Sequence, residues 1–509
     1  MNTHVVAALR CLLLFVFPVV TYAGSAQWNL NPTSGDWNTA ENWTPATVPN
    51  GPADVATFAL SNIGPSISED TEVNGITFVN PNGVTVNPNS VLTISGTGVI
   101  GDGGFEVATN GFFDGGIIVF SNQSTAGDSD IHVSGGGGVE FTDNSTAGNA
   151  NFRYGAGGVI FFLDSSTAGN AHFSALLDAA LAFSGSATAG NAVIEISDFS
   201  SFVMFSGTSS AGNAMVGSSA YTSFSDSSTA SNATIGVFGE YLVFSGSSEG
   251  GRAQIELTFD LTRLVPAILD ISGHNSPGVT IGSLEGEESN LVFLGANNLT
   301  VGSNNLSTTF SGVIEDNGFS GSLTKIGKGT FNLKGANAYT GQTNVNGGVL
   351  QVDGSTSSNA FINNKGDLAG VGTVNGNVTN YGGTVSPGDP LGVPGVLTVS
   401  NNYMQTPSAT LTVQIGGTDP GQISVLNVLG NANLNGSLDP ELINGFVPDV
   451  GQSFTILGYA SVTGSFSHIK NPVFDHGTKR WTLVYGPTGT SLVVVRNGQR
   501  LDGSRASYR

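Results

Sequence analysis

Short runs of alternating apolar and polar residues fill the chain between residues 117 and 257, and they predict β-strands. In one run Ile118 and Phe120 are apolar and separated by one residue, which places both on the same face of a strand. A polar stretch with Gly and Asn follows, and a second run has an apolar side chain two positions after a small residue, as in Ala150 and Phe152. Each unit therefore predicts two short strands joined by tight turns.

The unit repeats about every 21 residues. The sequence Ser-Thr-Ala-Gly at 124–127 returns at 145–148 and 166–169, and then decays. One unit cannot bury its apolar face alone, whereas stacked units bury it by aligning equivalent residues in columns. We therefore predict an all-β fold, a right-handed parallel β-helix. The spacing of the aromatic positions predicts about 20–22 residues per turn. The predicted structural ladder of aromatics is Phe120, Phe141, Phe162, Phe183, Phe205, Phe224 and Phe244.

Five asparagines occupy one position in consecutive units, and stacking would bring their amides within hydrogen-bonding distance. Amides stacked in this way hydrogen-bond in cross-β assemblies, and Asn also tolerates the left-handed backbone of tight bends. We interpret this column as structural, and the alternative is that it binds sugar. Its members are Asn149, Asn170, Asn191, Asn213 and Asn232.

The composition agrees with short strands and limits the classes of partner. Only 10% of the residues are charged, and the chain holds 73 glycines. Such a composition does not favour long helices. Acidic residues outnumber basic ones 37 to 15, giving a formal net charge of -22. We therefore expect no nucleic-acid partner, since phosphates need a positive surface, and the partner is left open between cell-surface glycans and proteins.

The N-terminus has the pattern of a secretory signal peptide. Arg10 supplies positive charge, and residues 11–20 form an apolar run too short to cross a bilayer as a helix. Small residues at the two positions that determine signal-peptide cleavage predict a cut after Ala23, which makes 1–23 the signal peptide. Cleavage after Ala26 and an uncleaved anchor are the alternatives.

The single cysteine, Cys11, lies inside this segment. The mature chain is therefore expected to form no disulfide and no thiolate metal site, and to have no cysteine nucleophile. No later run approaches the roughly 18 apolar residues of a membrane helix, so we expect no integral membrane segment in the mature chain.

Three tryptophans, Trp28, Trp37 and Trp43, open the region after the signal peptide. Aromatic residues at the start of a solenoid most often close its open end, because an uncapped end exposes core and strand edges. We predict such a cap. The alternative is an aromatic platform for carbohydrate.

Asp143 and Asp164 are the first candidates for chemistry, since each follows a ladder phenylalanine by two positions. Stacked neighbours lie about 4.8 Å apart, so the pair could share a calcium ion or act as acid and base. The column breaks at Gly185 and Gly207, and two carboxylates are few for calcium, which takes about 6–8 oxygen ligands. We interpret the two as solvated turn residues.

A second outward column is predicted to hold His132, Arg153, Ser174 and Glu195. The six histidines of the chain are scattered, with no pair at metal-ligand spacing. We therefore expect no catalytic centre, no cofactor and no metal site. The alternative is a carbohydrate-active β-helix, either a polysaccharide lyase or a hydrolase.

Three motifs follow one another in a later segment. They are Leu-Thr-Lys-Ile-Gly-Lys-Gly at 323–329, Asn-Ala-Tyr-Thr-Gly-Gln-Thr at 337–343 and Gly-Val-Leu-Gln-Val at 348–352. This segment resembles the autotransporter-associated β-strand repeat of bacterial autotransporter passenger domains, and a looser resemblance continues to Phe466. The resemblance implies a parallel β-helix exported to the cell surface or beyond.

The roughly 45 residues after Phe466 are too few for the outer-membrane barrel that ends an autotransporter. We therefore expect export by another system or retention in the periplasm. The expected product is a mature chain starting near Gly24, extracellular or loosely held at the cell surface. Its expected role is that of a non-enzymatic, adhesin-like or structural protein.

The predicted organisation has seven parts. They are the signal peptide 1–23, an N-terminal β region with the Trp cap 24–116, the 21-residue-repeat β-helix 117–257, an irregular continuation 258–309, the autotransporter-associated β-strand repeat 310–357, a passenger-like β-helix 358–470, and a C-terminal cap and tail 471–509.

Overall fold

The computed structural model describes residues 24–108 and 115–498. The predicted signal peptide, its Cys11 and the cleavage site after Ala23 lie outside the described residues. Within the described ranges the chain is a parallel β-solenoid, and the all-β prediction is confirmed. The one helical element described is a 3-10 turn at Ala40–Asn42, so no helix of this part of the chain has the length to cross a membrane.

The first sheet runs along one side of the solenoid, with one strand from each turn. Its strands pair in parallel, except for the first two, which are antiparallel. In spatial order the strands are Trp43–Thr44, Ala26–Trp28, Gly51–Phe58, Thr71–Phe78, Val91–Ile100, Ile117–Phe120, Gly138–Phe141, Val159–Phe162, Ala180–Phe183, Phe202–Phe205, Tyr221–Phe224, Tyr241–Phe244, Ile268–Asp270, Leu291–Phe293 and Val313–Glu315.

The second sheet forms another side and takes the second strand of each unit. Its strands also pair in parallel, apart from one antiparallel hairpin partner, Val393–Pro394. The strands are Ser66–Ile67, Gly83–Val86, Gly104–Val107, Asp130–Val133, Asn151–Tyr154, His172–Ala175, Val193–Ile196, Met215–Ser218, Thr234–Phe238, Gln254–Thr258, Ser283–Gly286, Thr308–Phe310, Thr330–Leu333, Gly348–Val352, Gly366–Gly370, Thr384–Asp389, Val393–Pro394, Thr410–Ile415, Ser437–Leu442 and His468–Ile469.

A third side closes the cross-section. In the repeat region it consists of single-residue parallel bridges through Thr125, Thr146, Thr167, Thr188, Ser210, Thr229 and Glu249. Beyond the repeat a third sheet takes over, and it has two columns of strands that meet at Val425–Leu434. One column continues the third side through Gly278–Ile281, Asn298–Val301, Ser322–Lys325, Thr343–Val345, Ala360–Ile362, Val378–Asn380 and Tyr403–Gln405. The other column follows the last strand of the first sheet through Ala336–Asn337, Ser355–Thr356, Thr373–Val374 and Val396–Val399. The sheet ends with Ser453–Gly464, Val473–Phe474, Lys479–Tyr485 and Gly489–Arg496. The sequence pattern predicted two strands per unit and missed this side, because a single paired residue per turn shows no alternation of apolar and polar positions.

The length of a turn stays within 19–22 residues in the repeat and varies more widely beyond it. Val139 pairs with Ile160, 21 positions later, as predicted. Ile255 pairs with Leu284, a step of 29, because the loop at 260–265 is inserted at the corner of that turn. Corner loops face solvent, so their length changes without disturbing the stacked interior. Strand pairing continues through 258–357, and the domain boundaries stay a prediction.

The tryptophans at the N-terminal end are buried, and none is more than 1% exposed. The Trp43 ring lies 4.9 Å from that of Trp28 and 4.8 Å from that of Trp37, and all three rings pack on Phe58. Each indole N–H donates to a backbone carbonyl. The rings therefore present no face to a sugar, and the platform alternative is wrong.

Candidate functional site

The seven phenylalanines of the predicted ladder are fully buried, and neighbouring rings stack. Ring centroids are 4.6–5.0 Å apart with interplanar angles of 2–10°. A second stack, Phe152 on Phe173 at 4.7 Å, meets the first edge-on. Because these rings fill the interior, they are available for packing and not for a ligand.

The asparagine column forms a chain of side-chain hydrogen bonds. The Nδ2 of each amide donates to the Oδ1 of the preceding one, at 3.0–3.2 Å. The chain starts at Asp128, whose Oδ1 accepts from Asn149 at 2.9 Å. Sequence reasoning missed Asp128 because it stands one unit before the first asparagine and is a different residue type. The amides that could have bound sugar are thus engaged with one another.

The backbone argument for these asparagines is wrong. The left-handed conformation belongs to the residue before each of them, which is a glycine in four units, as in Gly148 with φ 64° and Gly169 with φ 62°, and Ser231 with φ 52° in the fifth. A Cβ at Gly169 would lie 2.7 Å from the carbonyl oxygen of Gly148. Both the conformation and the closeness of the preceding turn favour Gly at this corner.

Asp143 and Asp164 hold a second left-handed corner, with φ values of 55° and 52°. The Oδ2 of Asp143 accepts the N–H of Asn122 at 2.9 Å, and that of Asp164 accepts the N–H of Asp143 at 3.2 Å. Each carboxylate therefore stabilises the neighbouring turn. Gly185 and Gly207 continue the corner with φ 65°, and Asp226 then resumes the acidic column with φ 56°, its Oδ2 accepting the N–H of Gly207 at 2.9 Å.

The column of His132, Arg153, Ser174 and Glu195 is paired in register across four turns. Arg153 Nη1 lies 3.4 Å from His132 Nε2, and His132 Nδ1 lies 3.5 Å from Glu106 on the preceding turn. These side chains are largely exposed, so their contacts link turns at the surface and contribute little each.

An apolar surface that sequence reasoning did not single out follows the corner between the second and the first sheet. Its side chains are 36–80% exposed, on consecutive turns. Contiguous exposed apolar patches of this kind mark interaction sites. We call this surface the aromatic ridge. Its members are Leu176, Leu177, Phe199, Phe202, Met204, Tyr221, Phe238, Tyr241, Leu261 and Leu264.

Three rings form the centre of the aromatic ridge. Phe202, Tyr221 and Tyr241 begin successive strands of the first sheet, and the residues that follow them face the core. The ring of Tyr221 lies 6.3 Å from that of Phe202 and 6.5 Å from that of Tyr241. The strand spacing thus sets a row of outward rings along the solenoid.

A cleft of about 490 Å³ adjoins the row and is lined by Phe199, Phe238 and the loop 259–263. Arg263 organises its wall. Its Nε donates to Asp260 at 2.6 Å and its Nη1 to Glu240 at 2.9 Å. Its guanidinium carbon lies 5.0 Å from the centre of the Phe199 ring, a cation–π contact. The one cation of this cleft is therefore neutralised by two carboxylates.

Acidic groups border the aromatic ridge. Burial raises the pKa of Asp198, but hydrogen bonds from Ser200, Ser201 and the Asp178 N–H outweigh it and hold that pKa below its ordinary value. Burial, followed by the charge of Asp270, raises the pKa of Tyr221, so its phenol is neutral. The site offers neutral rings and a hydroxyl beside negative charge.

Comparison with known proteins finds one family match and two partial relatives. Residues 323–352 match the family described as passenger-associated-transport-repeat. One stretch of 77 residues is 48% identical to an extracellular serine protease of Serratia marcescens, and one of 54 residues is 50% identical to a second protein of that name and organism. The stretches are 15% and 11% of this chain and only 7% and 5% of those relatives.

The matched repeat occupies strands of the second and third sheets, and its motifs have structural roles. Lys325 is 1% exposed, and its Nζ donates to the carbonyls of Ile326 at 2.6 Å and Gly347 at 3.2 Å. The buried Tyr339 hydroxyl lies 2.6 Å from Thr343 Oγ1. A parallel β-solenoid with this repeat is an autotransporter passenger-like protein. That class indicates a secreted or surface-exposed protein.

Proposed function

We propose that this chain is a secreted or surface-displayed, non-enzymatic and adhesin-like passenger that binds a neutral glycan along the aromatic ridge. The observation that carries the proposal is the row of three outward rings on consecutive turns, Phe202, Tyr221 and Tyr241. A repeating row of this kind suits a linear ligand made of repeating units.

The chemistry of the row supports a sugar. Aromatic rings give a flat apolar face for the C–H faces of a sugar ring, and tyrosine adds a hydroxyl at the edge. Ser197, Ser219 and Thr262 line the adjoining cleft and offer hydroxyls. Sites that recognise small polar ligands combine apolar walls with a few such groups.

The charge around the row favours a neutral glycan over an anionic one. Asp198 and Asp270 lie beside the rings, and Arg263 is paired with two carboxylates. The net charge of the whole chain is -22. An anionic ligand would be repelled at close range and from a distance.

A panel of immobilised glycans, probed with the full chain, tests the proposal. We expect binding to neutral oligosaccharides that falls at least tenfold in the triple variant Phe202→Ala, Tyr221→Ala, Tyr241→Ala. Tyr381→Ala is the matched control. Tyr381 is 51% exposed, its ring stacks on that of Phe361 with 6.2 Å between centroids, and it is not part of the aromatic ridge. Binding that survives the triple variant, or a preference for anionic glycans, would refute the glycan site.

The non-enzymatic part of the proposal has its own test. The full chain is incubated with casein and with the bound glycans, and release of peptides and of reducing ends is measured. We expect neither product. Release of either one above the level of a heat-denatured sample would contradict this part of the proposal.

A further inference from the structure

A second cleft lies on the outer face of the second sheet, beside the hairpin of Thr384–Asp389 and Val393–Pro394. Its volume is about 490 Å³, within the range of small-molecule sites. It is separate from the aromatic ridge and shares no lining residue with it. Its lining residues are Glu285, Ser307, Thr308, Thr309, Thr330, Asn332, Gln351, Asp389, Pro390 and Leu391.

Two amide side chains lie in this cleft and are unusually buried for outward positions. Phe331 and Leu333 face the core, so Asn332 between them faces outward, where it pairs in register with Gln351 of the next turn. Asn332 is nevertheless only 8% exposed and Gln351 only 7%. Polar side chains buried to this degree ordinarily have hydrogen-bond partners for all their groups.

A carboxylate fixes the orientation of both amides. The Oδ2 of Asp353 accepts from Asn332 Nδ2 at 2.8 Å and from Gln351 Nε2 at 2.9 Å. Because a carboxylate only accepts, the side of each amide that faces Asp353 is its NH₂ group, and its oxygen points the other way. The Oδ1 of Asn332 is buried and has no hydrogen-bond partner among the described residues. A buried acceptor without a donor costs free energy, and a ligand that donates to it would recover that cost.

The remaining walls indicate what the ligand carries. Glu285 and Asp389 contribute carboxylates, and the serine and threonines contribute hydroxyls, whereas none of the lining residues is Lys, Arg or His. Such a site accepts hydrogen bonds and favours positive charge. Its volume exceeds what a single cation with 6–8 close oxygen ligands would need.

We propose that this cleft binds an amino sugar, a small ligand that combines several hydroxyl donors with a protonated amine. Asn332 Oδ1 accepts one donor at the floor, and Glu285 and Asp389 face the ammonium group at the walls. The proposal is independent of the aromatic ridge, since the two clefts have different residues.

Titration calorimetry of the full chain with glucosamine tests this site. We expect saturable binding, with at least fivefold weaker binding of glucose, which lacks the charge. Asp389→Asn removes one wall charge and is expected to weaken glucosamine binding at least fivefold. Asn332→Leu removes the floor acceptor and is expected to abolish it. If Asn332→Leu fails to fold, as judged by circular dichroism, Asp389→Asn still decides the outcome.

The control is Glu256→Gln, because Glu256 pairs with Glu285 one turn away and does not line the cleft. It is expected to leave glucosamine affinity unchanged, as is the triple variant of the aromatic ridge. The site is overturned if glucosamine does not saturate, if Asp389→Asn binds it as the wild type does, or if calcium or lysine amide binds more tightly than glucosamine.

Discussion

The ring of Phe141 stacks on the ring of Phe162, with 4.6 Å between centroids and 2° between planes. The spacing is close to that of paired strands, about 4.8 Å, because the two residues are direct partners in a parallel ladder. The backbone pairing thus sets the ring geometry, and the rings in turn hold consecutive turns in one register. A change to one ring is therefore felt by two neighbouring turns.

Phe162→Ala is expected to destabilise the solenoid by about 3–5 kcal/mol, the usual loss for a buried phenylalanine. Phe162 is fully buried between Phe141 and Phe183. Denaturant unfolding followed by circular dichroism measures the loss. Phe199→Ala, at a 60% exposed ring, is the control and is expected to cost less than about 1 kcal/mol. Equal unfolding midpoints for wild type and Phe162→Ala would contradict the stacked core.

Gly169→Ala is expected to cost at least about 1–2 kcal/mol, since φ is 62° and the added Cβ would meet the Gly148 carbonyl oxygen. Gly217→Ala is the matched control. At Gly217 the nearest atom to an added Cβ is Phe238 Cε2 at 3.9 Å, an ordinary contact. The same unfolding measurement compares the two variants, and a smaller loss in Gly169→Ala than in Gly217→Ala would refute the argument.

Much of the solenoid could be predicted from the sequence because its core is periodic. The aromatic position of Phe120 and Phe141 recurs every 19–22 residues, and the amide column recurs with it. The left-handed corners were assigned to the wrong residue, since Gly148 and Asn149 are adjacent and periodicity alone does not say which one bends. The third side was missed because one paired threonine per turn, such as Thr146, gives no alternation.

The candidate sites could not be predicted for a different reason. Phe202 and Phe205 are the same residue type three positions apart, and only the register of the strand places one outside and the other in the core. The second cleft joins Glu285 to Asp389, which are distant in sequence. Such proximity depends on how turns of unequal length stack, and the spacing of residues does not reveal it.

Asp367 is expected to make stability fall as pH rises. Burial raises its pKa to about 7, and the charge of Glu441 adds to the effect, although Ser386 donates to the carboxylate. Because the pKa is higher in the folded than in the unfolded state, protonated Asp367 contributes its full stabilisation below the unfolded-state pKa of about 4. This contribution is lost as the pH rises towards 7, the folded-state pKa. Asp367→Asn should flatten the unfolding free energy between pH 4 and 7. An unchanged slope would place Asp367 in an ordinary solvated state.

Lys325 is expected to make stability rise as pH rises. Burial lowers its pKa to about 8, from an unfolded value near 10.5. Its contribution to stability is therefore complete above about pH 10.5 and is lost as pH falls through about 8, because the buried site disfavours the charge. Lys325→Met should remove a rise in the unfolding free energy of about 1–3 kcal/mol between pH 8 and 10. A wild-type rise that persists in Lys325→Met would assign the titration to another group.

The affinity of the full chain for neutral oligosaccharides of increasing length tests the proposed role of the aromatic ridge most directly. Because Phe202, Tyr221 and Tyr241 lie in one row, each additional sugar unit should reach a further ring. We expect the dissociation constant to fall with each added unit up to three or more units, and Tyr241→Ala to end the gain one unit earlier. An affinity that does not depend on length, or that is the same in Tyr241→Ala, would contradict a glycan-binding row.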